Sequence, residues 1–323
     1  MLNKKDEPLV TVHMSAYNHE KYIKEAVESI INQTYENLEF IIINDGSHDS
    51  THIEITKLLP KCYKRFKRFE YRNRENLGLS ATKNECLKWA QGKYFTGLAS
   101  DDIIMSNKVS DLVSFLEDSD DSYAVAFGDA IFIDDNSNEV YRDYKTGGYT
   151  SADKGEKSFL KYYTKKKEFN YKDENEFGTY KTLLGGNYLP AMSAVIKLEQ
   201  IKEVDAWTSG NTIEDWEMWL KLSRNYKFAY VDEAVALYRL HDSNSDKRIG
   251  KNIHYDSIVL LKNNKEYAVE NNLKDVYYDN LISKVIGIRY YSKKDFVIEV
   301  LKHSNDFKFL KLFFTKLIQK ITK

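Results

Sequence analysis

The sequence predicts an α/β fold in which a mainly parallel β-sheet is flanked by helices, with a helical C-terminal extension. Three observations predict it. The N-terminal third of the chain alternates between apolar runs and amphipathic patterns of helical period. The apolar runs are continuous, which is typical of strands covered on both faces. Short polar segments follow these runs, as in chains of βαβ units.

The elements can be assigned in order along the chain. The run LVTVHM from Leu9 is rich in β-branched residues and predicts the first strand. A helix is predicted over 19–33, because apolar residues recur there at helical spacing, with Asn18 as its candidate N-cap. The same signals predict strands at 38–44, 66–72, 93–99 and 123–135, a helix over Thr51–Tyr63, and a helix over 80–91 opened by Ser80.

Two regions are predicted. Residues 1–245 form the α/β domain, within which 145–182 is irregular and rich in Lys and Tyr. We interpret that segment either as a solvated excursion or as a flap over a substrate, since long loops are often functional. Residues 246–323 form a helical region that ends in a basic amphipathic helix.

The composition argues against several classes of protein. The 323 residues include 48 basic and 49 acidic side chains, a net charge of −1, whereas nucleic-acid binding needs a strongly basic face. The two cysteines, Cys62 and Cys86, lack the spacing of a zinc site or a disulfide framework. The sequence shows neither a membrane span nor a signal peptide, so the expected location is the cytoplasm.

Polar residues follow four successive strands. Because the carboxyl ends of parallel strands meet at one edge of a sheet, where ligands bind, these residues are expected to converge. They are Tyr17, Asp45, Asn76, Gly78, Asp101 and Asp102. Each also has a simpler interpretation as part of a turn or helix cap, the usual place of Asp, Asn and Gly. Their joint occurrence favours a binding site.

The second half of the chain contributes further candidates. TIEDWEMWLKL predicts an amphipathic helix with Glu214 and Asp215 in its first turn. Acidic residues there stabilise a helix through its dipole, so the pair has a structural interpretation beside a catalytic one. The final stretch, FKFLKLFFTKLIQKITK, has a broad apolar face, five lysines and no acid. That pattern is typical of a helix lying on an anionic membrane, and docking on its own domain is the alternative.

Several blocks in their order resemble the family 2 glycosyltransferases, which have the Rossmann-like GT-A fold. The resemblance covers roughly residues 8–245. It rests on VTVHMSAYN, HEKYIKEAVESIINQTYENLEFIIINDGSHDST, NLGLSATKNECLKWAQGKYFTGLASDD, IEDWEMWLKL and LYRLH.

The resemblance implies a nucleotide-sugar donor site. In the family, the SAYN segment and the aspartate after the second strand hold the nucleotide. These are Ser15, Ala16, Tyr17, Asn18 and Asp45 here. The family's Asn-x-Gly motif corresponds to Asn76 and Gly78, and Lys83 replaces its usual arginine, giving positive charge near a diphosphate without a bidentate fork.

A divalent metal, Mn²⁺ or Mg²⁺, is implied as well. The family's Asp-x-Asp variant, often LDSDD, reads Leu98-Ala99-Ser100-Asp101-Asp102, so its first aspartate is missing. Some members are similar in this respect. Asp102 is favoured as the direct ligand, with Asp101 toward the donor sugar or a metal-bound water. In the YR-x-H segment, Arg239 is expected to pair with a carboxylate or phosphate, and His241 to contact metal or diphosphate or to be structural.

The resemblance also implies the reaction. Asp215 matches the general base and Glu214 would orient the acceptor or the base, in an inverting single displacement. Family members that polymerise sugars usually carry membrane spans and a QxxRW motif, and this sequence shows neither, so addition of a single sugar is favoured. The expected donor is a UDP-sugar, and the expected acceptor is a lipid-linked glycan of a bacterial surface polysaccharide. The C-terminal helix would hold the enzyme on the inner membrane. Alternatives are a catalytically silent nucleotide-sugar-binding module and a nucleotidyltransferase.

Overall fold

The N-terminal strands and helices follow one another along the chain as the sequence predicts. A computed structural model describes residues 7–165, 167–242 and 244–321. The strands are β1 (Val10–Ala16), β2 (Leu38–Asp45), β3 (Arg68–Arg74), β4 (Tyr94–Ala99), β5 (Ile103–Ile104), β6 (Tyr123–Ile133), β7 (Tyr141–Asp143), β8 (Tyr149–Thr150), β9 (Gly155–Glu156), β10 (Ala194–Lys197) and β11 (Lys227–Arg239). Each strand of the βαβ units lies within a few residues of its predicted position.

Helices connect these strands and form the C-terminal part of the chain. They are α1 (Ile23–Ile31), α2 (Thr51–Arg65), α3 (Leu79–Trp89), α4 (Lys108–Asp118), α5 (Phe159–Thr164), α6 (Tyr180–Leu184), α7 (Leu198–Glu203), α8 (Glu214–Leu222), α9 (Ser245–Asn263), α10 (Lys265–Glu270), α11 (Lys274–Ile288), α12 (Lys293–Leu301) and α13 (Phe307–Ile321). A 3-10 turn, Ala191–Ser193, precedes β10.

Eight strands form one mixed sheet in the order β3-β2-β1-β4-β10-β6-β11-β5. Strands β3, β2, β1 and β4 are parallel, and β11 is parallel to β6, whereas β10 and β5 pair antiparallel to their neighbours. Every residue of β2 is buried, as a strand covered on both faces should be. The predicted fold class is therefore confirmed.

The chain divides into two compact units, each described by itself. The first comprises the described residues up to Thr179 together with Tyr188–Gly210 and Lys221–His241. The second comprises Tyr180–Asn187, Asn211–Leu220 and the described residues from Asp242 onward. The second unit therefore includes two segments from the middle of the chain. The sequence suggested instead a single division between residues 245 and 246.

Two predicted helix starts differ in the structure. Helix α1 begins at Ile23, with Tyr22 at the N-cap position, so Asn18 does not cap it. Asn18 instead has a left-handed backbone with φ 55° and belongs to the preceding loop. Helix α3 begins at Leu79 rather than after Ser80, because Gly78, with φ 87°, ends the loop there. The segment 145–182 also holds more regular structure than predicted, namely β8, β9 and α5.

The C-terminal helix packs on its own unit. Phe309 and Phe313 of α13 are buried, and the ring of Phe313 lies tilted against that of Phe296 of α12, with ring centroids 6.0 Å apart. Lys308 pairs with Asp275 at 2.7 Å, and Lys316 pairs with Asp279, both on α11. Other apolar side chains of α13 are exposed, namely Phe307, Phe314 and Ile318. None of the helices, over the residues that the structure describes, has the length and apolar character needed to cross a membrane.

Candidate functional site

The loops after β1 and β2 are joined by reciprocal hydrogen bonds. The backbone N–H of Asn18 donates to Ser47 Oγ at 2.9 Å, and the N–H of His48 donates to Asn18 Oδ1 at 2.8 Å. A left-handed residue allows this turn, and Asn tolerates that conformation better than most residues. Two of the polar segments predicted to converge are therefore in direct contact.

The loop after β3 joins the same edge through Asp45. Its carboxylate accepts the backbone N–H groups of Leu77 at 2.9 Å and Gly78 at 3.0 Å, and it pairs with Arg74. Asn76 returns a side-chain bond to the carbonyl of Asp45 at 2.8 Å. Asp45 thus shapes the loop that carries the Asn-x-Gly motif, a structural task that the sequence did not indicate.

A candidate metal-ligand set includes Asp101, just after β4. Asp101 Oδ2 is 3.0 Å from His241 Nε2 and 3.5 Å from His19 Nε2. One ligand atom from each of these three residues lies within 4.8 Å of the others. A carboxylate and two imidazoles are suitable ligands for a divalent transition ion. The structure therefore brings Asp101 and His241 together, as the sequence suggested, and adds His19.

Asp102 has a different environment from its neighbour. Its Oδ1 accepts the backbone N–H of Arg239 at 2.8 Å inside the first unit. Burial, together with the charge of Asp101, raises the pKa of Asp102 well above its usual range. For Asp101, burial also acts to raise the pKa, but the hydrogen bond from His241 and the charge of His19 bring it below its usual value.

Arg239 holds the loop that carries Asp101 and Asp102. Its guanidinium donates from Nε to the carbonyl of Asp101 at 2.7 Å and from Nη2 to Glu25 Oε2 at 2.7 Å. The side chain is almost completely buried, and it also lies over the ring of Tyr22. Arg239 thus pairs with a carboxylate, that of Glu25, which is one of the two kinds of partner expected for it.

His19 is the residue that sequence reasoning missed. It was assigned to the first helix, but it lies before α1, where its N–H donates to Thr51 Oγ1 at 2.8 Å. Only folding brings it to Asp101, since the two residues lie in loops after different strands. The one local signal was its position directly after the SAYN segment, in a loop already expected to face the site.

The other donor-site candidates lie in the first unit. Ser15 and Ala16 end β1, and Tyr17 is half-buried in the loop that follows. Lys83, on α3, is buried with Nζ 5.7 Å from the ring centroid of Trp207. The neighbouring Asn84 exchanges hydrogen bonds with the backbone of Trp207. The ammonium group of Lys83 therefore lies between α3 and the ring of Trp207 in this unit.

Glu214 and Asp215 belong to the second unit. They begin helix α8, as predicted, and Glu214 is buried while Asp215 is half-buried. The preceding turn is fixed by Asp256, which accepts the N–H of Thr212 at 3.0 Å. Trp216 Nε1 donates to the carbonyl of Leu183 at 2.8 Å and so holds the helix in place. The pair therefore lies at the start of an anchored helix.

The sheet with polar loops at its carboxyl edge, and with carboxylate and imidazole groups there, defines a ligand-binding α/β protein with a candidate metal centre. A family model, that of Glycosyl transferase family 2, matches residues 11–184. The chain belongs to this family.

Relatives agree with this assignment. An uncharacterised glycosyltransferase of Methanocaldococcus jannaschii is 27% identical over 288 residues, which cover 87% of this chain and 89% of the relative. One of Haemophilus influenzae is 32% identical over 236 residues, covering 72% of this chain and 66% of the relative. One of Rickettsia felis is 26% identical, and the match spans only 38% of its length.

Solved structures share the fold. Staphylococcus aureus TarS residues 1–349, in complex with UDP-GlcNAc, matches with a TM-score of 0.59 at 16% identity, over 88% of this chain and 74% of that 1–349 chain. The mannosyltransferase PcManGT of Pyrobaculum calidifontis, in complex with GDP-Man and Mn²⁺, matches with a TM-score of 0.59 at 11% identity, over 96% and 84%. The fold is therefore GT-A.

Proposed function

We propose that this protein is an inverting glycosyltransferase that adds a single sugar from a nucleotide-sugar donor to a lipid-linked glycan during bacterial surface polysaccharide synthesis. The observation that carries the proposal is Asp101, held at the carboxyl edge of the sheet between two imidazoles. A UDP-sugar is the first donor to test, because TarS binds UDP-GlcNAc. The GDP-Man complex of PcManGT makes a GDP-sugar the second.

The ligand set around Asp101 fits a divalent cation. When bound, the cation neutralises charge on the departing nucleoside diphosphate. We assign the direct ligand role to Asp101 and a positioning role to Asp102, which reverses the order that the sequence favoured. What supports this is the bond of Asp102 to the backbone of Arg239, while Asp101 lies with His241.

The donor would lie along the joined loops after β1, β2 and β3. Tyr17 and Asn18 would contact the base, Asp45 the base or ribose, and Lys83 the diphosphate. The firm hydrogen bonds of Asn18 and Asp45 support a preorganised loop edge. Preorganised sites bind more tightly, because less conformational freedom is lost on binding.

Asp215 would accept the proton of the attacking acceptor hydroxyl, and Glu214 would orient the acceptor or the base. A carboxylate in the first turn of a helix is favoured in its ionised form by the helix dipole, which suits a base. In the displacement, the acceptor oxygen forms a bond to the anomeric carbon while the bond from that carbon to the diphosphate oxygen breaks, and the nucleoside diphosphate leaves. No covalent enzyme intermediate is needed.

The second unit would contact the inner membrane through α12 and α13. Side-chain exposure supports this, since Phe307 is 81%, Phe314 54% and Ile318 61% exposed. Val297 and Leu301 of α12 are exposed as well, beside the exposed Lys293 and Lys294. Exposed apolar side chains on helices that also carry exposed lysines are what an anionic lipid surface binds.

A donor panel with lipid-linked acceptors tests the proposal. The protein is incubated with Mn²⁺ and UDP-, GDP- or dTDP-sugars, and the anomeric configuration of any product is determined by NMR. We expect transfer with inversion, lost in Asp101→Asn. Donor binding without transfer to any acceptor would favour a silent binding module, for which Ala99 in place of the family's first aspartate is the supporting observation. Pyrophosphate release would instead indicate a nucleotidyltransferase.

A further inference from the structure

We propose that His19 is a third protein ligand of the cation, with Asp101 and His241, and that this site selects Mn²⁺ or similar transition ions over Mg²⁺. The inference deepens the proposed function and rests on it for the identity of the site. His19 lies outside the aspartate and YR-x-H segments that the sequence singled out for the metal. Its assignment comes from the fold alone.

The distances already approach those of a metal centre. The three ligand atoms are mutually within 4.8 Å, and both imidazole Nε2 atoms face the same oxygen of Asp101. An ion with ligand distances of about 2.1 Å has neighbouring ligands about 3 Å apart. Small side-chain movements would therefore complete the site, without rearrangement of the backbone.

A second layer of contacts orients His19. Its Nδ1 lies 2.8 Å from Ser100 Oγ, so the other ring nitrogen is the one that faces Asp101. Its backbone is tied to Thr51. Hydrogen bonding at one ring nitrogen is how metal-binding histidines are usually fixed in tautomer and orientation. The side chain keeps 18% exposure, compared with 12% for Asp101 and 2% for His241, which leaves an approach for the ion.

The ligand chemistry determines the preference. Mg²⁺ favours oxygen ligands in near-ideal octahedral geometry and keeps several waters. Imidazole nitrogen suits transition ions, whose affinity for a given site generally rises along the first-row series from Mn²⁺, the weakest binder, to Cu²⁺. A site with two imidazoles and one carboxylate therefore discriminates against Mg²⁺. Loss of His19 would leave one imidazole and one carboxylate, and the discrimination should fall.

The competing interpretation is that His19 only holds the loop, by an ion pair with Asp101 and the bond to Ser100. Pulsed electron paramagnetic resonance of Mn²⁺ on the full chain distinguishes the two, because it detects ¹⁴N coupling from bound imidazole directly. The spectra are taken with and without UDP, for the wild type, His19→Ala and His19→Gln. His48→Ala is the matched control, since His48 is an exposed histidine of the neighbouring loop.

We expect coupling from two nitrogens in the wild type and His48→Ala, and from one in both His19 variants, with Mn²⁺ affinity lowered about tenfold or more. The ratio of Mn²⁺ to Mg²⁺ affinity should fall at the same time. Unchanged coupling in both folded His19 variants, or coupling from fewer than two nitrogens in the wild type under both conditions, would overturn the inference. Circular dichroism verifies folding. Because sugar transfer is measured separately, a protein that binds Mn²⁺ through two imidazoles but transfers no sugar would refute the proposed function alone.

Discussion

Asp101 and Asp102 are adjacent aspartates with opposite electrostatic environments. Asp101 faces two imidazoles, whereas Asp102 is buried against the backbone of Arg239 and the charge of its neighbour. Chemically identical residues therefore have different surroundings, on which the proposed difference in their roles rests. Sequence reasoning could place the pair, but it could not show which carboxylate bonds to β11 and which lies near the imidazoles.

Paired substitutions test these roles. Asp101→Asn removes the charged ligand, and Mn²⁺-dependent UDP affinity should fall about tenfold or more, equivalent to about 1.4 kcal/mol. Asp102→Asn keeps an oxygen that can accept the N–H of Arg239, so its affinity should stay close to that of the wild type. Isothermal titration calorimetry with and without Mn²⁺ provides the measurement. An equal loss in Asp102→Asn would restore Asp102 as the direct ligand.

Asp215→Asn should separate chemistry from binding. The amide cannot accept a proton, so transfer should fall roughly 10²- to 10⁴-fold, as is typical of losing general-base catalysis. Donor affinity should survive, because the loops proposed to hold the donor lie in the first unit. Single-turnover rates and UDP titrations measure the two quantities. Glu199→Gln, an exposed carboxylate on α7, is the control, and near-normal transfer by Asp215→Asn would reject the base assignment.

Lys108 is a buried lysine at the start of α4, and its titration should make the stability of the fold depend on pH. Burial lowers its pKa from 10.5 to about 7, and its ammonium donates to Thr96 Oγ1 at 2.7 Å. Between those values the unfolded chain keeps a proton that the folded chain has lost, so this group makes stability rise with pH. Below about pH 7 the folded protein bears the full cost of burying the charge.

Lys108→Met should therefore raise the free energy of unfolding near pH 6, by about 1–3 kcal/mol. The advantage over the wild type should shrink near pH 9, where the wild-type lysine is largely neutral when folded. Urea unfolding at both pH values provides the measurement. Lys88→Met, at an exposed lysine of α3, is the control. A destabilised Lys108→Met at both pH values would mean that the bond to Thr96 outweighs the burial cost.

At the level of elements, α13 shows what a helical pattern can and cannot predict. The apolar face was evident from spacing, but spacing could not divide it into the part that packs on α11 and α12 and the part left exposed. Nor could it show that Lys308 and Lys316 are paired with α11 aspartates. The same limit applies to His19, since periodicity describes neighbours along a helix and not partners across the fold.

The exposed part of α13 gives a sharper membrane test than truncation would. Removing the helix would uncover the partners of Phe309 and Phe313, whereas Phe314→Glu with Ile318→Glu keeps both buried rings and changes only exposed side chains, of which Phe314 has an edge contact with Phe313. The double variant should stay folded and lose flotation with anionic vesicles, because charged side chains replace the apolar contact area. Ile53→Glu on α2 is the matched control. If the wild type does not bind such vesicles, or if the double variant binds as well as the wild type, the membrane role of α13 is rejected and its role is to pack on its own unit.

At the scale of the whole molecule, ligand binding should appear as stability. UDP at about 100 times its dissociation constant adds roughly 2.7 kcal/mol, provided that it binds the folded state alone. With Mn²⁺ present, the unfolding temperature should rise more than with either ligand separately, and EDTA should remove the extra increase. Thermal-shift assays over UDP-, GDP- and dTDP-sugars measure this. An increase that EDTA leaves unchanged would argue against a metal-linked donor site.

The short strand β5 has a consequence for how this architecture can vary. Ile103 and Ile104 follow Asp102 directly and pair with Leu237 and Ala236 of β11, which leads to His241. Asp101 and His241, which lie far apart in the chain, are thus aligned by this ladder of two residues together with the hydrogen bonds of Arg239 to Asp101 and Asp102. Loops of the intervening stretch can change in length, provided that β6, β10, helix α8 and this register are kept. Variation in those loops therefore need not disturb the candidate metal site.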